Sequence, residues 1–180
     1  MENEQLYDFV AQRTARCKIL VVGDVMLDKY YYGEVTRISP EAPVPITHVL
    51  ETKETLGGAA NVAHNLALLG AKVRLITALG ADDGAKRVEA SCADLGIDLT
   101  DSLYVPDGAT STYLFLADSN GDMALAMNDM AIYEQLTPAF LETKLTTLNA
   151  AALVVLDTNL SAESIRYLGE HCPAPLFADP

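Results

Sequence analysis

Residues 56–61 read Leu56-Gly57-Gly58-Ala59-Ala60-Asn61, and from Ala59 apolar residues recur at helical spacing through Val62, Leu66 and Leu69 until Gly70 stops them. Two glycines ahead of a helix let the backbone approach a ligand closely, because no Cβ stands in the way. The unpaired N–H groups of the helix's first turn face the same space, with the positive end of the helix dipole behind them. Asn61 adds a side chain that both donates and accepts, which suits a molecule rich in hydroxyls. On this stretch alone, an ordinary glycine-containing loop before a helix reads the same way.

A second stretch narrows the reading. Gly23-Asp24-Val25-Met26-Leu27-Asp28 follows the apolar run from Ile19 to Val22. Asp24 and Asp28 therefore stand at the carboxyl end of an expected first strand, where open α/β sheets bind ligands. Residues 19–23, 72–77, 151–156 and 175–178 all read as short buried strands. Between them lie helical patterns. One runs from Ala59 to Leu69. Another is capped by Asp82 or Asp83, carries Val88, Cys92 and Leu95, and ends at Gly96. Thr137-Pro138 opens a third, presenting Phe140, Leu141, Leu145 and Leu148. Ser161 caps a last one with Ile165 and Leu168 facing inward. Strands alternating with helices predict a doubly wound, mostly parallel α/β sheet covered on both faces.

Two segments, approximately 30–50 and 110–128, break that alternation. The first is rich in Tyr, Val, Ile and Thr but interrupted by Pro40, Pro43 and Pro45, which permit edge strands only. In the second, Tyr113, Phe115 and Ala117 alternate with Leu114 and Leu116, and Asn120-Gly121 separates this run from another. Asn-Gly between alternating runs is a strong hairpin signal. Both segments are expected to leave the core and pair as a small β sheet, a lid beside a ligand crevice or else a pair of surface hairpins.

Composition narrows the function further. At 180 residues, half of them apolar, the chain suits one domain with a sizeable core. Its formal net charge is −13, and no run of Lys or Arg interrupts that acidity, which argues against a nucleic-acid partner. No apolar stretch reaches the roughly 18 residues of a membrane span, and residues 1–16 hold no signal-peptide core. Cys17, Cys92 and Cys172 have neither metal-ligand nor paired spacing, so a reducing cytoplasm is expected. His48, His64 and His171 are scattered, and no metal site is expected from them.

The Gly-Asp-x-x-x-Asp strand end, the β excursion, the Gly-Gly-Ala-Ala-Asn helix start and the second excursion together resemble the ribokinase-like (pfkB) sugar kinases. The likeness extends from Ile19 to Pro180. It implies a ribokinase-like core with a β lid, a sugar or nucleoside substrate, ATP as phosphoryl donor and Mg2+. By the same likeness Asp28 matches the sugar-binding aspartate, and Gly57, Gly58 and Asn61 match the glycine-pair signature that cradles the sugar. Asp24 occupies a nearby position that varies among members, Tyr113 lies on the lid, and Asn159 falls where members place a polar substrate contact. Subfamily signals diverge. Residues 23–30 and 37–45 resemble heptose 7-phosphate kinases. Residues 110–113, 121–123, 128–130 and 157–160 resemble pseudouridine kinases. A pseudouridine-type substrate is preferred, because a sugar phosphate calls for a basic cluster and only Lys29 and Arg37 offer themselves.

The resemblance also implies a Gly-Ala-Gly-Asp segment with the catalytic base and an Asn-x-x-Glu segment linked to magnesium. Neither is present in residues 1–180, nor is a Walker-type GxxxxGK[ST]. These are expected after Pro180, with the sheet incomplete at its C-terminal edge. The chain thus reads as the N-terminal, substrate-binding part of one kinase domain, unable to transfer phosphate by itself. A non-catalytic sugar- or nucleoside-binding module and an inactive truncated fragment are the alternatives. Lid strands often pair across a dimer in this family, so a homodimer through the lid is also expected.

Overall fold

In the computed structural model, described for Asp8, residues 11–118 and residues 120–179, the first half runs through β1 (Lys18–Val22), β2 (Val25–Ile38), β3 (Pro45–Gly58), α1 (Ala59–Leu68), β4 (Lys72–Ile76), β5 (Ala78–Gly80) and α2 (Asp83–Asp94). There follow β6 (Leu103–Val105), β7 (Thr112–Ala117), β8 (Met123–Asp129), a 3₁₀ turn (Ala131–Gln135), α3 (Pro138–Glu142), α4 (Leu145–Asn149), β9 (Leu153–Asp157), α5 (Ala162–His171) and β10 (Leu176–Asp179).

Alternation along β1 creates two cores. Ile19 and Val21 pack with Ala59, Ala60 and Ala63 of α1 and with Val88 and Cys92 of α2. Leu20 and Val22 turn the other way, onto Leu141, Leu148 and Leu168. A strand with no polar face must be covered on both sides, and the helices supply those covers. Each fully buried Val or Leu in these layers contributes about 1.5–3 kcal/mol. The main sheet is all parallel, in the order β10-β9-β1-β4, as the doubly wound α/β reading requires.

The second sheet has the order β3-β2-β7-β8. The two excursions do pair with each other, β2 lying parallel to β7 from Leu27↔Thr112 to Tyr32↔Ala117. The first excursion is longer than residues 30–50, because each of its strands has 14 residues and β3 runs into the glycine pair. Pro40 and Pro43 fall in the connecting turn, and Pro45 opens β3 opposite Ile38, so no proline interrupts the ladder. The small parallel pair β5–β6 had no clear signal, since each strand has only three residues.

One expected helix is two. The pattern opened by Thr137-Pro138 breaks at Thr143–Lys144, where amides bond three residues back, to Phe140 and Leu141, in a tighter turn. The second piece is tethered elsewhere: Thr147 Oγ1 donates to Asp101 Oδ2 at 2.8 Å, and Arg74 holds that same oxygen at 2.6 Å. A contact between distant residues overrides the local period here.

Asp82 joins core to lid. Its carboxylate accepts the Ala85 amide at the start of α2 at 2.8 Å, and the Thr110 amide and hydroxyl at 2.7 Å each, just ahead of β7. Burial alone would raise this carboxyl, but those donors hold it below the usual carboxylate range. Asp82→Ala is expected to lower stability by about 2–3 kcal/mol in urea unfolding, since it removes a helix cap and two charge-assisted bonds. A loss under about 0.5 kcal/mol would show that the cap does not anchor the lid.

Candidate active site

The sheet order fixes where a crevice can form. From β1 the chain crosses to β4 on one side, while β9 and β10 lie on the other. The carboxyl ends of β1 and β9 therefore flank the switch point, the position at which open α/β sheets hold ligands. Asp24 follows β1 there, and Asp157 ends β9.

Asp28 lies on β2 beside the glycine pair. A Cβ added to Gly57 would stand 2.5 Å from Asp28 Oδ2 and 2.7 Å from Oδ1. Burial raises the Asp28 carboxyl above its usual range, and the Tyr30 hydroxyl pulls it part of the way back. Alternate residues of a strand share a face, so Tyr30 and Tyr32 stand on the same side as Asp28. Their neighbours in register are Thr55, Lys53 and Glu51 on β3 and Tyr113, Phe115 and Ala117 on β7; Asn128 of β8 lies opposite Tyr113. The Tyr30 and Phe115 rings lie 5.4 Å apart, tilted by 54°. The Asp28 face of the lid is thus aromatic and hydroxylated.

Asp24 belongs to a second group. It is fully buried, and neither carboxylate oxygen has a hydrogen-bond partner among the described residues. Asp157, Asn159 and the Ala59 amide are nonetheless near enough to act on its charge. Burial, reinforced by Asp157, pushes its carboxyl up to about 7. A Cβ on Gly58 would meet Asp24 Oδ1 at 2.5 Å, and one on Gly23 would meet the Asp157 Cβ at 2.4 Å. Tyr133 is raised by burial and then by Asp24 and Asp157, which brings its hydroxyl into the same neighbourhood.

Two clusters emerge from the expected residues: Asp28, Gly57 and Tyr113 in one, Asp24, Gly58 and Asn159 in the other. Consecutive glycines join them. Asn159 is exposed in the turn after β9, its amide donating to Asp157 Oδ1 at 2.7 Å. Asn61 sits in the first turn of α1, exposed, its Oδ1 accepting from Asn65 at 3.5 Å. Asp157, Tyr133, Tyr30 and Asn128 received no site role from sequence reasoning. For Tyr30, period-two spacing from Asp28 was available as a signal. Asp157 and Tyr133 depend on packing between strands and turns far apart in the chain.

A cavity of about 610 Å³ lies elsewhere, at the amino ends of β1 and β4, lined by Lys18, Lys72 and Arg74 among others. It does not reach the carboxyl-end groups. Among the described residues no three His, Cys, Asp or Glu side chains gather as a metal site. The residues described do not fit a magnesium ion or a triphosphate cradle.

The pfkB family carbohydrate kinase model matches residues 16–170. The chain belongs to that family. Among curated relatives, D-beta-D-heptose 7-phosphate kinase of Bordetella bronchiseptica is 56% identical over 89 residues, 49% of this chain and 28% of that protein. Bifunctional protein HldE of Escherichia coli (strain K12 / DH10B) is 49% identical over 105 residues, 58% of this chain and 22% of its own length. The chain thus spans about a quarter of the curated relatives it matches. Among solved structures, a carbohydrate kinase from Agrobacterium tumefaciens superposes with a TM-score of 0.78 at 28% identity, covering 90% of this chain and 53% of that one. Arabidopsis thaliana ribokinase, solved with ribose and ATP, gives 0.75 at 18% identity over 91% of this chain and 53% of its own, which shows the shared fold.

Gly58 has φ +61° and no room for a side chain against buried Asp24. Gly58→Ala is expected to cost about 2–3 kcal/mol in thermal or urea unfolding. Gly57→Ala should cost less, because the Asp28 carboxylate it meets is half-buried and can rotate. Equal losses, or none at Gly58, would contradict this geometry.

Proposed function

We propose that this chain supplies the sugar-binding portion of an ATP-dependent kinase that phosphorylates a hydroxyl of a sugar or nucleoside. The observation that carries the reading is Asp28, half-buried beside Gly57 on the lid's aromatic face. A carboxylate there accepts hydrogen bonds from two adjacent hydroxyls, and such charge-assisted bonds orient a polyol strongly. The Ala59 amide is taken by the Asp24 carbonyl at 2.9 Å, so the donors at the start of α1 are the next amides of its first turn and the Asn61 side chain. The phosphoryl donor in this reading is ATP with Mg2+, for neither of which the described residues form a cradle. In this family resemblance the base and the anion hole belong to a Gly-Ala-Gly-Asp segment that residues 1–180 do not contain.

For the substrate we favour an uncharged polyol bearing a flat ring, of the pseudouridine type. Tyr30, Tyr32, Tyr113 and Phe115 offer ring surface on the Asp28 face, and Asn128 and Thr55 offer polar groups. Among the described residues of that patch, Lys53 shares its face with the carboxylates of Glu51 and Asp28, a poor setting for a phosphate dianion. The second reading, a heptose 7-phosphate, is favoured by the 56% identity to the Bordetella kinase of that name. The free cysteines suit a reducing compartment, the cytoplasm. Leu125 and Met127, more than half exposed on the side of β8 turned away from the Asp28 face, favour a homodimer formed through the lid.

Titration calorimetry with pseudouridine and with heptose 7-phosphate tests the site. Asp28→Asn is expected to weaken binding of the true ligand by about 10- to 100-fold, the worth of a charge-assisted hydrogen bond. Unchanged affinity in that variant would refute Asp28 as the sugar-holding group. Sedimentation of the same samples at micromolar concentration should give twice the 19.3 kDa chain mass; a monomer would refute the lid dimer.

A further inference from the structure

Asp24 poses an electrostatic problem that the sugar-binding reading leaves unsolved. It is completely buried, both oxygens are unpartnered among the described residues, and none of the leading groups acting on it is basic. Around it stand Asp157 at the end of β9, Asn159 in the following turn, the Ala59 amide at the start of α1 and, from the 3₁₀ turn, Tyr133. A completely buried carboxylate that faces a second one is driven toward its neutral form, because desolvation and repulsion both disfavour its charge. Asp157 already accepts the Asn159 amide at 2.7 Å and is only half-buried, whereas Asp24 is sealed from water. Asp24 is then the partner that carries the proton.

We propose that Asp24 is a positioning residue that shares a proton with Asp157, and that this shared proton holds the Asn159 turn against the start of α1 so that the sugar site is formed. The sugar-linked half rests on the function proposed above. Asp24 itself, with no exposed oxygen, does not touch the ligand. Its role is to let the ends of β1 and β9 approach without repulsion. The absence of a Cβ at Gly23 and Gly58 serves the same approach: both would strike this pair.

The direction of the pH effect follows. A carboxyl raised from 3.8 to about 7 binds its proton more tightly in the folded chain than in the unfolded one. Stability from this group is therefore fully present below about pH 4 and is lost as pH rises toward 7 and just beyond. Thermal unfolding of the wild-type chain from pH 5.5 to 8.5 should show a fall of about 5 °C or more, largely absent in Asp24→Asn. The side-chain carboxyl carbon of Asp24, followed by NMR, should titrate near 7.

Affinity for pseudouridine and heptose 7-phosphate, measured over the same range, supplies the readout a merely structural role would not move. Whichever compound binds should bind about tenfold more weakly per pH unit above 7. Asp24→Asn, whose amide can still donate to Asp157, should remove that slope and recover part of what Asp24→Ala loses. An Asp24 carboxyl that titrates below pH 5, or an Asp24→Asn variant that keeps the wild-type pH slope, overturns the proposal. Failure of both compounds to bind at any pH would overturn the proposed function and the sugar-linked half. The NMR titration and the unfolding profile still decide the shared proton in that case.

Discussion

Everything near the carboxyl ends of the sheet depends on one close approach: two aspartates pressed against a backbone that has no side chains there. Gly57 yields its Cβ position to Asp28, and Gly58 yields its own to Asp24. The ladder between β2 and β3 makes this unavoidable, because Val25↔Gly58 and Met26↔Gly57 set Asp28 on β2, and Asp24 just ahead of it, beside the strand that ends in the glycines. Gly58 then turns at φ +61° into α1, so the same residue that accommodates Asp24 also sets the start of the helix, whose Ala59 amide donates to the Asp24 carbonyl at 2.9 Å. A glycine pair that could be read as room for a ligand is first of all room for this chain's own carboxylates.

Much of this organisation was legible in the residues. The strands of the parallel sheet announced themselves as short apolar runs, since a strand covered on both faces has no polar side to hide. Gly70, at φ +86°, stopped α1 as a left-handed glycine should, and Ser161 caps α5 by accepting the Ser164 amide at 3.1 Å. Asn120-Gly121 marked the β7–β8 turn. Each of these signals is local, and local chemistry was enough to decide it.

What could not be read was set by distance along the chain. The helix after Pro138 splits because Asp101, more than forty residues away, gathers Arg74, Lys144 and Thr147. Asp157 entered the site only because β9 lies beside β1, and Tyr133 because a 3₁₀ turn folds back toward both acids. Asp82 could be seen as a cap, but not as the anchor of Thr110. The lid's length escaped for a different reason: three prolines suggested interruption, whereas they occupy the turn and the first residue of a strand.

We propose that a sugar binds at the glycine pair, between the lid's aromatic face and the ends of β1 and β9. Amide chemical-shift mapping of the isotope-labelled chain, titrated with pseudouridine and separately with heptose 7-phosphate, tests that most directly. The predicted result is a contiguous set of shifted amides at Gly57, Gly58, Ala59, Asn61, Tyr113 and Asn159 with one of the two compounds. Shifts confined to the amino-end cavity around Lys18 and Lys72, or no shifts with either compound, would contradict it.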